Sequence, residues 1–325
     1  MNNVSSACRC ENIPTESGGC QHAVEAIPNK MIQTTSSHRF HRHSSQRQIN
    51  NRFHIFISLL DAVHLYFKMV AVHLKSQMQY RASFLMMMTG NLLVAFVEFI
   101  TILVLFSRFD SLSGWSLAEV AMFYGLINVS FAISEAFGRG FDMFSLQVIN
   151  GEFDRTLLRP RPTSFLVLAH DFQLMRVGRL LQGLAILAWA SLNLGVNWDF
   201  LKVGLLIYSA CGGIMIFTGL LIIQATMCFW STQSLEVINS FTYGGIEALQ
   251  WPLSIFPRWF SRIFIFVIPL ACVNYFPMLA VMEKTSLLHY PGWLPWVSPL
   301  AGLVFLVVSL FIWSFGVKHY RSTGS

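Results

Sequence analysis

The chain has 325 residues, of which 54% are hydrophobic and 12% are charged, with a mean hydropathy of +0.54 and a net charge of +6. A soluble domain carries about 25% charged residues, so this composition excludes an ordinary soluble protein and indicates a membrane protein. The basic residues lie beside the ends of long apolar segments. Lipid and membrane topology account for that placement better than nucleic acid does, and no nucleic-acid partner is predicted.

The first 51 residues are rich in Ser, Thr, Asn, Gln and His and poor in aliphatic side chains. Such a composition buries too little apolar surface to offset the entropy of ordering, so residues 1–51 are predicted to form a disordered tail. The tail holds Cys8, Cys10 and Cys20, but their spacing matches no zinc-binding pattern, and no metal site is predicted.

Residues 52–82 alternate apolar and polar side chains at helical spacing. An apolar face that includes Tyr66 and Met69, with Lys68 lying elsewhere, predicts an amphipathic helix in the membrane interface. The alternative is a plain helical extension of the first membrane span into the cytoplasm.

Six long apolar segments follow, and they predict that residues 83–325 form an all-α membrane domain with six transmembrane helices. A crossing takes roughly 20 mostly apolar residues, and backbone polar groups in lipid must find partners within the segment. The predicted spans are Phe84 to Phe106, Leu117 to Phe137, Gly178 to Leu194, Val203 to Trp230, Ile263 to Met282, and Trp296 to Val317. The third is short and begins with polar residues.

The Lys and Arg residues between these spans predict the orientation of the chain. With the N-terminus inside, thirteen of them fall in inner connections, against three in outer ones: Arg108, Lys202 and Lys284. Both termini are therefore expected on the cytoplasmic side of a cell (inner) membrane.

Three polar residues within the predicted spans are candidates for a substrate path: Glu98, Asn128 and Glu135. A carboxylate at mid-depth costs about 2.5–3.5 kcal/mol, so it should face protein or water rather than lipid. Two interpretations stay open for Glu98. It lines a path or titrates, or it bonds a neighbouring helix.

The longest inner connection, residues 138–177, holds a short amphipathic segment between Gly151 and Pro160. Apolar side chains on one side and charges on the other suit docking in a groove of a soluble partner. The candidate docking residues are Glu152, Phe153, Asp154, Leu157, Leu158 and Arg159. The alternative is a basic loop that only fixes topology.

The next inner connection, residues 231–261, is apolar and aromatic but contains Gly244, Gly245, Pro252 and Pro257. This pattern fits a re-entrant or interfacial segment better than a free loop. The alternative is an ordinary kinked start to the fifth span.

Several catalytic motifs are absent from the sequence: the phosphate-binding Gly-x-x-x-x-Gly-Lys-Ser/Thr loop, the His-Glu-x-x-His zinc helix and the Gly-x-Ser-x-Gly nucleophile turn. The chain is therefore not expected to be an enzyme or to hold a cofactor of its own. Any transport driven by nucleotide would need another subunit to bind it.

A series of short stretches supports a family resemblance, weak one by one but specific in order and spacing. They include Tyr80 to Leu85, Gly151 to Pro160, Phe241 to Gly245, Pro252 to Pro257, Asn274 to Pro277, and Phe315 to Ser325. With them the chain resembles the permease subunits of ATP-binding-cassette (ABC) exporters of the type-2 permease class, in a bacterial branch of uncharacterised six-span permeases.

This resemblance implies two permeases per transporter, identical or paired, and two cytoplasmic ABC ATPase subunits that carry ATP and Mg²⁺. It implies that the connection at residues 138–177 contains a helix that couples the two kinds of subunit, and that an unidentified substrate is exported. From the residues alone a membrane scaffold without transport function stays open, and so does one alternative transport function. It is an ATP-independent transporter or channel that uses Glu98 as a proton or cation site.

Overall fold

The computed structural model describes residue 61 and residues 63–230, 235–284 and 291–320, without the side chains of residues 235–238. The predicted disordered tail, with its three cysteines, lies outside the described residues. Within the described part the chain is helical and contains no strand, which confirms the all-α class. Residues from Val63 onward form one compact unit.

Among the described residues, four helices are long and apolar enough to cross a bilayer, and they match four predicted spans. They are α2 (Arg81–Arg108), α3 (Leu117–Asp142), α8 (Phe200–Met227) and α14 (Leu300–His319). The third predicted span is α7 (Val177–Asn193), whose 17 residues reach about 25 Å, less than the roughly 30 Å of the hydrocarbon core. The count of six spans is therefore not confirmed.

The other helices are shorter and connect or flank the long ones. They are α1 (residues 63–79), α4 (Phe144–Ile149), α5 (Glu152–Leu157), α6 (Thr163–Leu168), α9 (Leu235–Leu249), α10 (Arg258–Arg262), α11 (Leu270–Val273), α12 (Tyr275–Val281) and α13 (Leu294–Val297).

Helix α3 lies at the centre of the bundle, between α7 and α8. Most of its side chains from Val120 to Phe141 are buried, whereas α2 buries only Ala95 and Ile102. The exposed surface of α2 is apolar along most of its length, as lipid contact requires. We call the two ends of α3 the Trp115 end and the Asp142 end.

Glycines let α8 and α14 approach closely. A Cβ atom at Gly302 of α14 would lie 2.4 Å from the carbonyl oxygen of Gly212 on α8, and one at Gly213 would lie 2.7 Å from Oγ of Ser130 on α3. Small residues of this kind bring helix backbones together in membranes, where close packing replaces the hydrophobic effect as the source of association.

Helix α1 packs beside the Asp142 end of α3. The ring of Tyr66 lies 6.3 Å from the rings of both Phe137 and Phe165, and the Gln77 side chain accepts a hydrogen bond from the backbone N–H of Leu174 at 3.1 Å. A turn at Tyr80 separates α1 from α2, so α1 does not simply extend the first span. Its position in the membrane interface stays a prediction.

Helix α9 passes through Gly244 and Gly245 without a break, so the expectation that these glycines interrupt the connection is wrong. Gly245 instead gives room to a neighbour, because a Cβ atom there would lie 3.1 Å from the Leu270 side chain. The helix ends at Leu249, shortly before Pro252, which lacks the N–H that a continued helix needs.

The segment after α9 leaves and returns at the Trp115 end of the bundle. The indole Nε1 of Trp115 donates a hydrogen bond to Oγ of Ser254 at 3.0 Å. At the other end of the segment, Nζ of Lys284 lies 4.5 Å from the centre of the same indole ring. Residues 254 and 284 are therefore on the same side of the bundle.

Between these ends the segment dips into the bundle and bends by 80°. A π-helical turn at Ile263–Val267 gives way to α11 just after Pro269, and Ile268 and Leu270 pack in one cluster with Phe131, in the middle of α3. The predicted fifth span, Ile263 to Met282, is not confirmed, and the return of the segment to the Trp115 end indicates that it is re-entrant. In that arrangement α9 carries the chain from the Asp142 end to the Trp115 end, although its 15 residues reach only about 22 Å.

Candidate functional site

The chain after α3 folds back in three short helices at the Asp142 end, α4, α5 and α6. Gly151 joins α4 to α5 with a φ of +68°, in the left-handed region that glycine adopts without steric cost. Pro160 and Pro162 follow α5, and neither can continue a helix from within. The sequence prediction of a short helix in this position agrees with the structure.

Phe153 of α5 is buried in an aromatic cluster formed with Phe144, Phe229, Trp313 and Tyr320. Its ring lies 4.9 Å from those of Phe144 and Tyr320 and 5.7 Å from that of Phe229, measured between centroids. The side chain is 0% exposed. The expectation that Phe153 points toward a partner is therefore wrong, because the ends of α8 and α14 enclose it.

The opposite side of α5 is open. Leu158 is 87% exposed and Leu157 39% exposed, and the side chains of Glu152 and Arg159 also reach the surface. This open side, which we call the α5 face, combines apolar and charged groups as the sequence predicts. No described contact tests what binds it, so its role in docking stays a prediction.

Asp154 lies on the protein side of α5, next to Tyr320 at the end of the aromatic cluster. Burial and the neighbouring Asp154 carboxylate raise the pKa of the Tyr320 phenol to about 12. The phenol therefore stays protonated at physiological pH. Asp154 thus lies next to the residue that follows α14, which connects the charged side of α5 with the end of that helix.

Glu98 forms an ion pair inside the bundle. Arg179 of α7 approaches both carboxylate oxygens of Glu98, at 3.1 and 3.4 Å. Gln182, one turn further along α7, donates to the backbone oxygen of Ala95 at 2.5 Å, and the Tyr124 hydroxyl donates to the same oxygen at 3.2 Å. These bonds join α2, α3 and α7, and they fit the interpretation that Glu98 bonds a neighbouring helix.

Glu135 and Asn128 are also enclosed by protein, each only 1% exposed. Arg176 Nη2 lies 2.7 Å from Oε1 of Glu135, and the Asn128 amide donates to the backbone oxygen of Tyr124 at 2.9 Å. Neither residue lines an open passage in this conformation. Glu98, Asn128 and Glu135 thus have separate partners, and their part in a substrate path stays a prediction.

Sequence reasoning missed both arginine partners and the aromatic partners of Phe153. It placed Arg176 and Arg179 in a cytoplasmic connection, although two unmatched carboxylates in the preceding spans could have pointed to them. Trp313 and Tyr320 carried no such signal, since they lie more than 150 residues after Phe153 in the chain. Among the described residues, no group of three or more His, Cys, Asp or Glu side chains could hold a metal ion.

Comparison with known proteins identifies one family. The family described as "ABC-2 family transporter protein" matches residues 92–324, more than two thirds of the chain. No curated protein and no solved structure matches the chain. The matched region begins within α2, ends beyond α14 and includes α5 with its aromatic cluster.

Proposed function

The chain belongs to the ABC-2 transporter family, and we propose that it is the permease subunit of an ABC exporter whose ATP-binding subunits dock on the α5 face. Members of this family are transmembrane components that are not themselves catalytic and that act with an ATP-binding subunit. In this proposal ATP and Mg²⁺ bind the partner subunits, and this chain carries the substrate path with a second permease, identical or paired.

The single observation that carries the proposal is the two-sided character of α5. One side exposes Leu158 to solvent, and the other inserts Phe153 among side chains of α8 and α14. A helix with these two sides can bind a soluble partner and transmit its movement into the membrane. A loop that only fixed topology would need no such buried anchor.

The expected transmission follows from close packing. Protein interiors are as dense as organic crystals, so a displaced side chain moves its neighbours instead of entering empty space. When ATP binding shifts the docked subunit, α5 moves and Phe153 pushes on Trp313 of α14 and Phe229 beyond α8. Rocking of these two helices would then alternate access to the substrate path.

The distribution of basic residues supports a cytoplasmic α5 and two cytoplasmic termini in the inner membrane. With α9 as a crossing and residues 254–284 re-entrant, Arg258 and Arg262 join the outer set. By chain order, eleven Lys and Arg residues then belong to the Asp142 side and five to the Trp115 side. The bias keeps the sign that the positive-inside rule requires.

The alternative of an ATP-independent transporter driven through Glu98 has less support. The Glu98 carboxylate is already paired with Arg179, which approaches both of its oxygens. A coupling site for protons or cations would need that ion pair to open.

Copurification tests the proposed docking surface. We expect ATP hydrolysis to copurify with the affinity-tagged wild-type chain from mild detergent. Leu158→Asp places a charge at the centre of the apolar contact and should lower the copurified activity at least tenfold, a loss of about 1.4 kcal/mol or more. Trp198→Ala, on the connection between α7 and α8 at the Trp115 side, is the control. Equal loss in both variants, or no loss in either, contradicts docking on the α5 face.

A further inference from the structure

A cavity of about 290 Å³ lies beside α5, between α1 and α6. Its polar wall comes from Glu152, Arg155, Thr156 and Arg159, and its apolar wall from Met69 of α1 and Leu166 of α6, with His170 at one edge. We call it the α5 pocket. It shares Glu152 and Arg159 with the α5 face but is separate from the Glu98 and Glu135 ion pairs. The docking of an ATPase subunit does not account for its apolar wall.

The polar wall has the chemistry of a phosphate site. Two guanidinium groups and a hydroxyl offer several N–H and O–H donors, and the arginine fork binds phosphate oxygens in pairs. The only carboxylate in the wall, that of Glu152, lies 3.9 Å from Nε2 of His170. Apart from His170, the lining carries one net positive charge, from two arginines and one glutamate, which complements the single negative charge of a phosphodiester.

The position of the pocket beyond the ends of two long helices predicts that it lies at the depth of the lipid headgroups. Phe153, on the same helix as Arg155, packs against Tyr320, the residue that directly follows α14, and against Phe144, two residues after the end of α3. Polar headgroup regions extend about 5–8 Å beyond the hydrocarbon core on each side of a bilayer. A cavity immediately beyond the ends of two spanning helices therefore opens into that layer.

We propose that the α5 pocket binds a phosphodiester, supplied by the headgroup of an anionic membrane lipid. Arg155, Arg159 and Thr156 hold the phosphate oxygens, while Met69 and Leu166 contact the glycerol and the first methylenes of the chains. The binding itself does not depend on the proposed export function. One consequence does rest on it: a lipid held against α5 would make coupling sensitive to the charge of the membrane surface.

Native mass spectrometry of the full chain tests the site directly, without the ATPase subunit. The chain is released from nanodiscs that contain equal amounts of phosphatidylglycerol and phosphatidylcholine, and the retained lipids are counted. We expect one phosphatidylglycerol to stay bound to the wild type. Arg155→Gln with Arg159→Gln should weaken its retention about twenty-five-fold, at roughly fivefold for each arginine near a membrane surface. Arg161→Gln, a neighbouring arginine that does not line the pocket, is the matched control and should retain the lipid.

A second arm distinguishes the source of the phosphate. Thermal unfolding of delipidated chain is followed in sodium phosphate and in sodium chloride of equal ionic strength. Stabilisation by phosphate that the double variant loses, without retained phosphatidylglycerol, would support the same site with a free phosphate as its ligand. Loss of lipid in Arg161→Gln as well, or retention in the double variant, overturns the proposal. If the double variant keeps the lipid and also loses copurified ATPase activity, the two arginines bind a carboxylate of the ATPase subunit instead.

Discussion

At the scale of single residues, two neighbours on α5 have opposite environments. Phe153 is 0% exposed and Leu158 is 87% exposed, although both are apolar and five positions apart. An amphipathic pattern predicts that one side of a helix is apolar, but it does not say whether protein or a partner covers that side. The distinction comes from Trp313, Phe229 and Tyr320, whose positions depend on the whole bundle.

Truncation of Phe153 should therefore act on stability first. Phe153→Ala removes the centre of the aromatic cluster and leaves a cavity, a change that costs about 3–5 kcal/mol in protein cores. We expect a lower midpoint of thermal unfolding in detergent, together with poorer coupling. Leu158→Ala should leave that midpoint unchanged, because its side chain has little protein contact to lose. A normal midpoint of thermal unfolding for Phe153→Ala would contradict the expectation that the aromatic cluster stabilises the fold.

The ion pair of Glu98 and Arg179 gives a second prediction at this scale. Removing one partner leaves the other charge unpaired, and because the Arg179 and Glu98 side chains are 16% and 25% exposed, the cost should fall below the roughly 3–5 kcal/mol of a fully buried pair. We expect Glu98→Gln and Arg179→Gln each to lower thermal stability, and the double variant to lower it less than the sum of the two. Glu98→Lys should be worst, because it sets two cations side by side.

Additive effects would contradict the pairing of Glu98 with Arg179. Glu283→Gln serves as the control, since Glu283 is a largely exposed partner of Lys202 and surface pairs contribute about 0–1 kcal/mol. If Glu98→Gln instead abolishes transport while stability stays normal, Glu98 belongs to the substrate path.

At the scale of elements, glycines decide how α8 and α14 meet. Gly302→Ala would place a methyl group 2.4 Å from the backbone oxygen of Gly212, and backbone cannot move aside as a flexible side chain does. Overpacking of this kind costs about 1–3 kcal/mol. We expect a lower unfolding midpoint for Gly302→Ala. Gly204→Ala, where a Cβ atom meets nothing within 4 Å on the same α8, should leave the midpoint unchanged or raise it slightly.

The long helices were the most predictable elements. Helices α2, α3, α8 and α14 follow from hydropathy alone, because nothing but a helix satisfies the backbone in lipid over such lengths. Helix α7 is shorter and begins beside Arg176 and Arg179, whose charges are tolerated only because Glu98 and Glu135 pair with them. For the predicted fifth span, hydropathy indicates only a long apolar stretch, whereas Ser254 before it and Lys284 after it both contact Trp115 on one side of the bundle.

At the scale of the whole molecule, the re-entrant segment changes the expected topology. Arg258 comes four residues after Ser254, which bonds Trp115, so it should face the outside. The sequence alone predicts that Arg258 is cytoplasmic. In a chain whose native cysteines are replaced by serine, Arg258→Cys should react with a membrane-impermeant maleimide added to intact cells. Arg155→Cys should react only after the membrane is opened. Protection of Arg258→Cys in intact cells would restore the fifth span at Ile263 to Met282.

The contacts of Ser254 and Lys284 with Trp115 have a consequence for how the chain inserts into the membrane and folds. A segment bent by 80° at Pro269 offers the insertion machinery no straight helix of about 20 residues. Its apolar side chains are buried only once α3, α8 and α9 have packed together. Both of its ends contact Trp115, which enters the membrane region much earlier. Packing of the segment into the bundle is therefore a step of tertiary folding that follows membrane insertion. Its two contacts with Trp115 form only when that step is complete.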